Sequence, residues 1–420
     1  MKILWISLVK FPELCEVLNE TYPFHCGWLY SSAAKLLEYK PNINLGVIVY
    51  SYGSKYEYYN VNGRSYYLIP TLSMGKVSRK QVEACKKAID DFKPDLIHIH
   101  GTEHSLAKAV CIANESSIKT VVNIQGLADP YMRYADGGLS LWDKWTNITP
   151  LDFYRRTFLL NAKRSFKHRA ECEHYVLTHV TDVVGRTQWD HDHVMKINPQ
   201  LHYHFMNETL RDSFYEAPMW EYKHCQKHTI FVSNSGSALK GAHQVLKALR
   251  IILREYPDTM VNFCGSSVMS RNMKHMLRFQ GYHMYLRKLV KRLHLQKHVR
   301  FLGSLTEKQM KQQFLDAHVY VMPSAIENSP NSLGEAQILG IPAIASYVGG
   351  TPEFIEHGKT GFLYRYEEYE MLANIIIKIF GTERLNDLSI QEQSIAKIRH
   401  NKDENVMRLA SIYDGMTSSH

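Results

Sequence analysis

The chain has 420 residues, of which 45% are hydrophobic, and this is enough for two globular domains with cores of their own. Its formal net charge of +9 at pH 7 favours an anionic partner, such as nucleotide phosphates, nucleic acid or an anionic membrane surface, without choosing among them. No apolar run reaches the roughly 18 residues that a membrane-spanning helix needs, so any membrane contact is expected to be peripheral.

The cysteines indicate a reducing compartment. There are seven, they are scattered along the chain, and none forms a C-x-x-C pair. The apolar run at the start is interrupted by Lys10 and Pro12 and is too short for a secretory signal. The predicted location is therefore the cytoplasm, including the inner face of the cell membrane.

Short β-branched and aromatic runs alternate with segments of helical period along the first half. Such runs predict buried strands that end in polar or glycine-containing turns, with helices such as QVEACKKAIDDF between them. This alternation is typical of a parallel sheet that is covered on both faces. The predicted strands are KILWISLV, LGVIVYS, DLIHIHG and KTVVNIQG.

A less regular stretch covers about residues 198–227, and the alternation then begins again. The fold class predicted is α/β, with two doubly wound Rossmann-like domains at 1–205 and 206–403 that enclose a central cleft. Ligands of open parallel sheets lie beyond the carboxyl ends of the strands, so the cleft is the expected site of chemistry. The strands of the second domain are predicted at HTIFVSNSG, MVNFCGSS, VRFLGSL, HVYVMPS and PAIASYVGG.

Residues 325–346 (AIENSPNSLGEAQILGIPAIAS) hold two glutamates, Glu327 and Glu335, around a turn between a strand and a helix. One interpretation is a capping box, in which Ser332 is the N-cap and Glu335 reaches back to it. The other is a phosphate site, because the first amides of a helix at a strand's carboxyl end attract anions. Two carboxylates that flank a diphosphate then indicate a ligand with a sugar at each end, which is a nucleotide sugar.

This segment resembles the glutamate-x7-glutamate signature of the retaining glycosyltransferases of family four, which have the GT-B fold. The resemblance extends over about residues 230–364, through LKGAHQVLKAL, VRFLGSL, HVYVMPS and GIPAIASYVGGTPEFIEHGKTGFLY. The first half matches more loosely, through DLIHIHG, VVNIQG and VVGRTQWD, as this family's acceptor-binding half does. The resemblance also implies that a C-terminal helix at about 404–420 returns to the first domain.

By this resemblance, Glu335 holds the ribose hydroxyls, Glu327 contacts the donor sugar, and Lys240 neutralises phosphate charge. The backbone amides between Ser329 and Leu333 hold the diphosphate. The remaining residues predicted on the nucleotide-sugar side are Gly303, Asn328, Pro330, Asn331 and Ser332.

Two positions depart from the family pattern. Asn234 stands where members often carry an arginine, so Arg186 is predicted to supply the second phosphate cation. Gln125 stands where many members have a histidine, and glutamine can position a sugar but cannot act as a general base. Gly27, in the first loop, is predicted to allow close approach of the phosphate or sugar.

The predicted mechanism is front-face substitution with retention of configuration, in which the leaving phosphate takes the acceptor's proton. The catalytic set is Glu327, Lys240 and Gln125, and His100 and Glu103 are predicted to face a glycan or lipid-linked acceptor. The donor is a UDP- or GDP-sugar, no metal or other cofactor is required, and the context is polysaccharide biosynthesis. The alternatives are a non-catalytic nucleotide-sugar binding protein, or a GT-B epimerase or hydrolase.

Three other patterns remain. Asp190-His191-Asp192 matches a metal-binding D-x-D but also suits an acid-rich helix start. The alternate histidines at 98–104 lack the further ligands that complete a zinc site. The basic stretch at 155–176 predicts either a core-facing helix with a solvated basic side or a contact with an anionic membrane. Nucleic acid is not an expected partner, because the basic residues are not interleaved with exposed aromatic side chains in a recognisable binding module.

Overall fold

The computed structural model of the chain describes residues 1–22, 27–52, 55–71, 75–155, 158–265, 268–269 and 279–418. In these residues the strands are β1 (Lys2–Ser7), β2 (Asn44–Ser51), β3 (Glu57–Val61), β4 (Arg64–Pro70), β5 (Leu96–His100), β6 (Thr120–Asn123), β7 (Asp182–Gly185), β8 (His202–Phe205), β9 (Gln226–Val232), β10 (Met260–Phe263), β11 (Val299–Phe301), β12 (Ala317–Met322), β13 (Ala343–Ser346) and β14 (Phe362–Tyr364).

The helices of the same residues are α1 (Pro12–Val17), α2 (Gly27–Tyr39), α3 (Arg79–Phe92), α4 (Ser105–Asn114), α5 (Ala128–Met132), α6 (Leu141–Trp145), α7 (Pro150–Arg155), α8 (Ala162–His179), α9 (Gln188–Ile197), α10 (Asp212–Tyr215), α11 (Ala242–Ile252), α12 (Gly281–Arg292), α13 (Glu307–Asp316), α14 (Asn331–Leu339), α15 (Tyr369–Phe380), α16 (Asn386–Arg399) and α17 (Lys402–Ser418). Short 3₁₀ turns cover Leu159–Asn161, Ala238–Lys240 and Thr351–Glu353.

The first compact unit comprises Met1–Tyr131, Phe166–Arg211 and His400–His420. Its sheet has the order β3-β4-β2-β1-β5-β6-β7-β8, and all neighbours are parallel except β3 and β4. Successive residues of β1 enter two different cores, because Leu4 and Ile6 pack on one face while Ile3 and Trp5 pack on the other. Burial of both faces is why this strand is a continuous apolar run rather than an alternating one.

The second compact unit comprises Met132–Ser165 and Asp212–Arg399. Its sheet has the order β11-β10-β9-β12-β13-β14, and its neighbours are parallel. From β9 the next two strands, β10 and β11, are added on one side. The chain then returns to place β12 on the other side of β9, followed by β13 and β14. Strand order therefore reverses between β9 and β12, which is the position where doubly wound sheets bind ligands.

The predicted α/β class with two Rossmann-like domains is confirmed, but the division of the chain differs from the predicted one. Residues 132–165, assigned to the first half from sequence, belong to the second unit. Contacts far apart in sequence hold them there: His243 Nε2 lies 3.1 Å from the Gly137 carbonyl oxygen, and Lys288 Nζ donates to the Thr146 carbonyl at 2.7 Å. The first unit continues to Arg211, beyond the predicted boundary at 205, and resumes at His400.

Among the helices of the described residues, none combines the length and the apolar character that crossing a membrane requires.

Candidate functional site

Two loops of the second unit lie at the point where strand order reverses. One follows β9 and ends in the 3₁₀ turn Ala238–Lys240, and the other follows β12 and leads into α14. The amide of Ala325 donates to the Leu239 carbonyl at 2.8 Å, which joins the two loops. Ser346, at the end of β13, donates its hydroxyl to the Ser324 carbonyl at 2.5 Å. The loops are thus held to each other and to the sheet.

Two glycines allow the backbone to approach this site closely. Gly241 has φ +66°, and a Cβ there would lie 1.7 Å from the Pro323 carbonyl oxygen. Gly349 has φ +53°, and a Cβ there would lie 1.9 Å from the Glu327 carbonyl oxygen. Any larger residue would collide with the loop that carries Glu327, and both positions also need a left-handed conformation that favours glycine.

Glu327 is nearly buried and its carboxylate is held by two donors. Oε1 accepts a hydrogen bond from the Ser324 hydroxyl at 2.7 Å and forms an ion pair with Lys240 Nζ. The Lys240 side chain remains 30% exposed, whereas that of Glu327 is 11% exposed. The structure therefore brings together two of the predicted catalytic residues, with a buried carboxylate beside a more accessible ammonium group.

Helix α14 begins at Asn331, and its N-cap is Pro330, with no side chain capping it. The predicted N-cap role of Ser332 is wrong, and so is the capping box with Glu335. The Ser332 hydroxyl lies one position inside the helix and accepts from the Tyr320 hydroxyl at 3.1 Å. Burial raises the pKa of Tyr320 above its ordinary value, so this residue stays a neutral donor beneath the helix start.

The first turn of α14 carries most of the residues predicted to bind the diphosphate. The amides of Leu333 and Gly334 donate to the Pro330 carbonyl at 3.0 and 3.2 Å, so the turn closes on itself. Glu335 is buried in the next part of the helix. A nine-residue helix has its positive end here, at the carboxyl end of β12, which suits an anion. Asn331 and Ser332 are the first two residues of this helix, and Asn328 and Ser329 form the bend that precedes its N-cap.

Asn234 and Gly303 follow β9 and β11 at the same edge of the sheet. The Asn234 side-chain oxygen accepts from the Gly236 amide at 2.9 Å and so shapes its own loop. Gly303 has φ +73°, and its carbonyl accepts from the Gly265 amide at 2.9 Å. Both residues occupy positions expected of a ligand-facing edge, and their contact with a nucleotide sugar stays a prediction.

Gln125 and Arg186 lie in the first unit, where a third residue joins them. Glu208 accepts from Gln125 Nε2 at 3.0 Å and pairs with Arg186 Nη1 at 2.7 Å. The Arg186 and Glu208 side chains are nearly inaccessible, at 2% and 3% exposed. The guanidinium charge that was predicted for phosphate is therefore already balanced by a carboxylate, and Arg186 also donates to the Ile124 carbonyl.

His100 and Glu103, predicted to face the acceptor, differ in their surroundings. His100 is 6% exposed, and within the described residues neither ring nitrogen has a hydrogen-bond partner. Burial, with neighbouring His98 and Arg186, lowers the pKa of His100 well below its ordinary value. Glu103 instead pairs with Arg169 at 3.0 Å. Gly27 is the first residue of α2.

A narrow cavity in the first unit adjoins these residues. Its volume is about 10 Å³, which is room for about one water molecule. The lining is mixed, and the polar or aromatic residues in it include Trp28, His98, His100, Asn123 and Glu208.

Metal ligands do not assemble in the described part of the chain, where no group of three or more histidine, cysteine or acidic side chains could hold an ion. Asp190 of the D-x-D pattern lies in the first turn of α9 and is buried. Its carboxylate accepts from the Arg186 amide at 3.0 Å and from the Tyr203 hydroxyl. This residue therefore organises the start of the helix.

Sequence reasoning missed three residues of these clusters: Ser324, Tyr320 and Glu208. Ser324 could have been found, because a hydroxyl three residues before Glu327 can reach its carboxylate. Glu208 gave no local signal, since its partners lie 22 and 83 residues away in an irregular stretch. Tyr320 lies on a buried strand, where an aromatic residue ordinarily packs in the core, so its hydroxyl gave no signal of a role at the site.

The two Rossmann-like units, with a helix start and paired acidic and basic side chains at the strand reversal, are of the GT-B class. A sucrose-phosphate synthase from Thermosynechococcus elongatus has a TM-score of 0.68 over 100% of both chains, at 14% identity. Anabaena HepE in complex with UDP and glucose has a TM-score of 0.66 over 99% of this chain and 100% of its own, at 16% identity. At these identities the similarity is one of fold.

Residues 221–394 match the family described as glycosyl transferases group 1. The match covers less than half of the chain, and it confirms the predicted resemblance to family-four glycosyltransferases. Spore coat protein SA from Bacillus subtilis is 33% identical over 172 residues, which are 39% of this chain and 40% of that protein. The chain thus spans two fifths or less of the length of the first curated relatives it matches.

Proposed function

We propose that the protein transfers a sugar from a nucleotide-diphosphate sugar to a glycan or lipid-linked acceptor, with retention of configuration. The observation that carries the proposal is the pairing of Glu327 with Lys240 and Ser324 beside the N-terminus of α14. A buried carboxylate, an accessible cation and the positive end of a helix lie at one strand reversal. These are the groups that bind a sugar hydroxyl and the two phosphates of such a donor.

In this proposal the diphosphate lies against the amides that begin α14, and Lys240 turns from Glu327 toward a phosphate oxygen. Glu327 is then available to hydrogen-bond the donor sugar, while Ser324 keeps its carboxylate oriented. Glu335 takes the ribose hydroxyls. The UDP and glucose ligands named for the HepE structure favour UDP as the first nucleotide to test.

The reaction would break the bond between the sugar's anomeric carbon and the leaving phosphate oxygen on one face of the sugar. On the same face, the acceptor oxygen forms the new bond to that carbon, and its proton passes to the leaving diphosphate. Negative charge grows on the diphosphate in the transition state, so the helix amides and Lys240 stabilise that state more than the ground state. Gln125 would position the sugar and not move a proton.

The same proposal includes an acceptor site with His100 and Glu103, a role in polysaccharide biosynthesis in the cytoplasm, and a peripheral contact with an anionic membrane. No step requires a metal. The neutral His100 ring can donate one hydrogen bond and accept another at physiological pH, which suits a sugar hydroxyl.

Thermal-shift titration with UDP, GDP and ADP and their common sugars, with and without a metal chelator, tests donor binding. A ligand that binds only the folded state raises the melting temperature with its concentration. We expect one nucleotide to stabilise the protein, with or without chelator. No shift with any of them would overturn the nucleotide-sugar site, and a shift abolished by the chelator would overturn its metal independence.

Two variants separate binding from transfer. Glu335→Gln is expected to weaken nucleotide binding, and Glu327→Gln to lower the transfer rate about a hundredfold while nucleotide binding persists. Glu356→Gln is the matched control, because Glu356 pairs with Lys359 in the same unit but at the surface. Nucleotide binding without transfer in the wild type, over a panel of acceptors, would favour the non-catalytic alternative.

A further inference from the structure

Residues 132–165 of the second unit present apolar side chains to solvent. We call the aromatic surface the set Leu141, Trp142, Trp145, Phe153 and Tyr154, which lies on α6 and α7. The exposed fraction is 72% for Trp142, 65% for Trp145 and 87% for Tyr154. Single exposed apolar residues are ordinary, but a group of this size on two successive helices marks an interaction site.

Helices α6 and α7 bury charged side chains and expose apolar ones, which reverses the usual arrangement. Lys144 is buried on the inner side of α6 and pairs with Asp136 at 2.8 Å. Asp152 is buried on the inner side of α7, where it accepts from the amide and the hydroxyl of Thr149 at 2.8 and 2.7 Å. A surface helix of a soluble protein ordinarily buries its apolar side and exposes its charges. Here the polar groups face the protein and the aromatic groups face outward.

The segment is anchored to the rest of the unit. Lys288 of α12 donates to the Thr146 carbonyl at 2.7 Å, while within the segment Asn147 donates to the Asp143 carbonyl at 2.7 Å. A Cβ at Gly281 would lie 2.7 Å from the Asn147 carbonyl oxygen, so α12 packs closely against the turn between α6 and α7. These contacts fix the orientation in which the aromatic surface points away from the unit.

The charges that follow the aromatic surface in the chain are positive, whereas Asp143 of α6 accepts from the Ser140 hydroxyl at 2.7 Å. Residues 153–170 contain no aspartate or glutamate. Within the second unit, Arg155, Lys163 and Arg164 are exposed. A cluster of cations beside exposed aromatics attracts a partner that is both anionic and able to take up apolar rings.

We propose that the aromatic surface docks on an anionic lipid bilayer. Tryptophan and tyrosine suit the boundary between headgroups and acyl chains, because each carries a polar atom on a large apolar ring. Arg155, Lys163 and Arg164 would contact lipid phosphates. An uncharged glycan would leave these cations unused, so the bilayer accounts for both features. The inference rests on the membrane contact within the proposed function, and it assigns that contact to α6 and α7.

Flotation with vesicles of phosphatidylcholine, alone or mixed with phosphatidylglycerol, tests the proposal without any sugar donor. The wild type is expected to float with the anionic vesicles and to be released by salt. Trp142→Ala/Trp145→Ala is expected to weaken binding about tenfold or more, since burial of aromatic area supplies the apolar part. Lys163→Gln/Arg164→Gln is expected to weaken it about tenfold, and only on anionic vesicles.

Matched controls come from the same unit. Ile390→Ala/Ile398→Ala removes two exposed apolar side chains of α16, and Lys297→Gln/Lys308→Gln removes two exposed cations. Both should bind vesicles as the wild type does. Absence of wild-type flotation, or equal loss in the controls, would overturn the proposal. So would vesicle binding that survives in Trp142→Ala/Trp145→Ala while a dimer or a glycan complex is lost. Because the assay lacks donor and acceptor, none of these results bears on sugar transfer.

Discussion

At the scale of single residues, Gly241 is required for two reasons: its positive φ and the lack of space for a Cβ. The energetic cost of each can be measured separately. It has φ +66° and no room for a Cβ, since that atom would lie 1.7 Å from the Pro323 carbonyl oxygen. Gly358, in the same unit, has φ +83°, with nothing within 4 Å of its Cβ position. The two glycines therefore share the conformation and differ in the space around them.

We expect Gly358→Ala to lower the free energy of unfolding by about 1 kcal/mol, because alanine is strained in the left-handed region. Gly241→Ala should lower it by about 3 kcal/mol or more, since the loop after β12 must also move. Urea unfolding followed by circular dichroism measures both values. If both variants lower the free energy of unfolding by the same amount, the close approach of Gly241 to Pro323 does not contribute to the cost of adding a Cβ.

Glu208 is the counter-ion of a guanidinium group with almost no access to water. Glu208→Gln keeps its shape but leaves the Arg186 charge unbalanced, so we expect a loss of about 3 kcal/mol in the free energy of unfolding. Glu83→Gln is the control, because Glu83 pairs with Arg79 in the same unit with both side chains exposed. That pair should contribute less than about 1 kcal/mol. A similar small loss in both variants would show that Glu208 is not needed to balance Arg186.

At the scale of elements, the regular strands could be predicted and the long-range assignments could not. KILWISLV and HVYVMPS contain β1 and β12, because apolar, β-branched runs bounded by polar turns are typical of strands buried on both faces. Strands β3 and β4, whose tyrosine-rich runs lie at one edge of the first sheet, were not among the predicted strands. They pair across a turn at Asn62 and Gly63, where both residues have positive φ.

The candidate site shows the same limit. Glu327, Lys240 and Glu335 were predicted, because a resemblance with fixed spacing carried them. The N-cap of α14 was predicted wrongly, since Ser332 satisfies the local capping pattern but is engaged by Tyr320, twelve residues before it. Residues 132–165 were assigned to the wrong unit, because contacts such as those of His243 and Lys288 have no signature in the local sequence.

At the scale of the whole molecule, buried histidines and buried glutamates affect the dependence of stability on pH in opposite directions. Among the residues that the structure describes, burial lowers the pKa of six histidines below the ordinary value of 6.5, to about 3 for three of them, so the folded chain keeps these rings neutral. The six are His98, His100, His104, His243, His283 and His318.

Two buried carboxyl groups act in the opposite direction. Burial raises the pKa of Glu173 from 4.5 to about 8, although the amides of Ala128 and Asp129 donate to it. Burial raises the pKa of Glu392 well above its ordinary value, although the Ala343 amide donates to it at 3.1 Å. Near neutral pH the folded chain therefore keeps protons on these two groups that the unfolded chain has lost.

The free energy of unfolding should therefore pass through a maximum near pH 6.5. Below it, the unfolded chain binds protons at histidines that the folded chain leaves neutral, so stability falls as pH falls, by up to about 1.4 kcal/mol per pH unit for each ring. As pH rises above it the unfolded chain loses its histidine protons as well, and the two glutamates then make stability fall as pH rises toward 8. Urea unfolding at half-unit steps from pH 5 to 8 measures the curve. Glu173→Gln should flatten its alkaline side and make its acidic side steeper, because between about pH 4.5 and 8 the raised pKa of Glu173 makes stability fall as pH rises. A stability that rises steadily from pH 6 to 8 would contradict both pKa shifts of the glutamates.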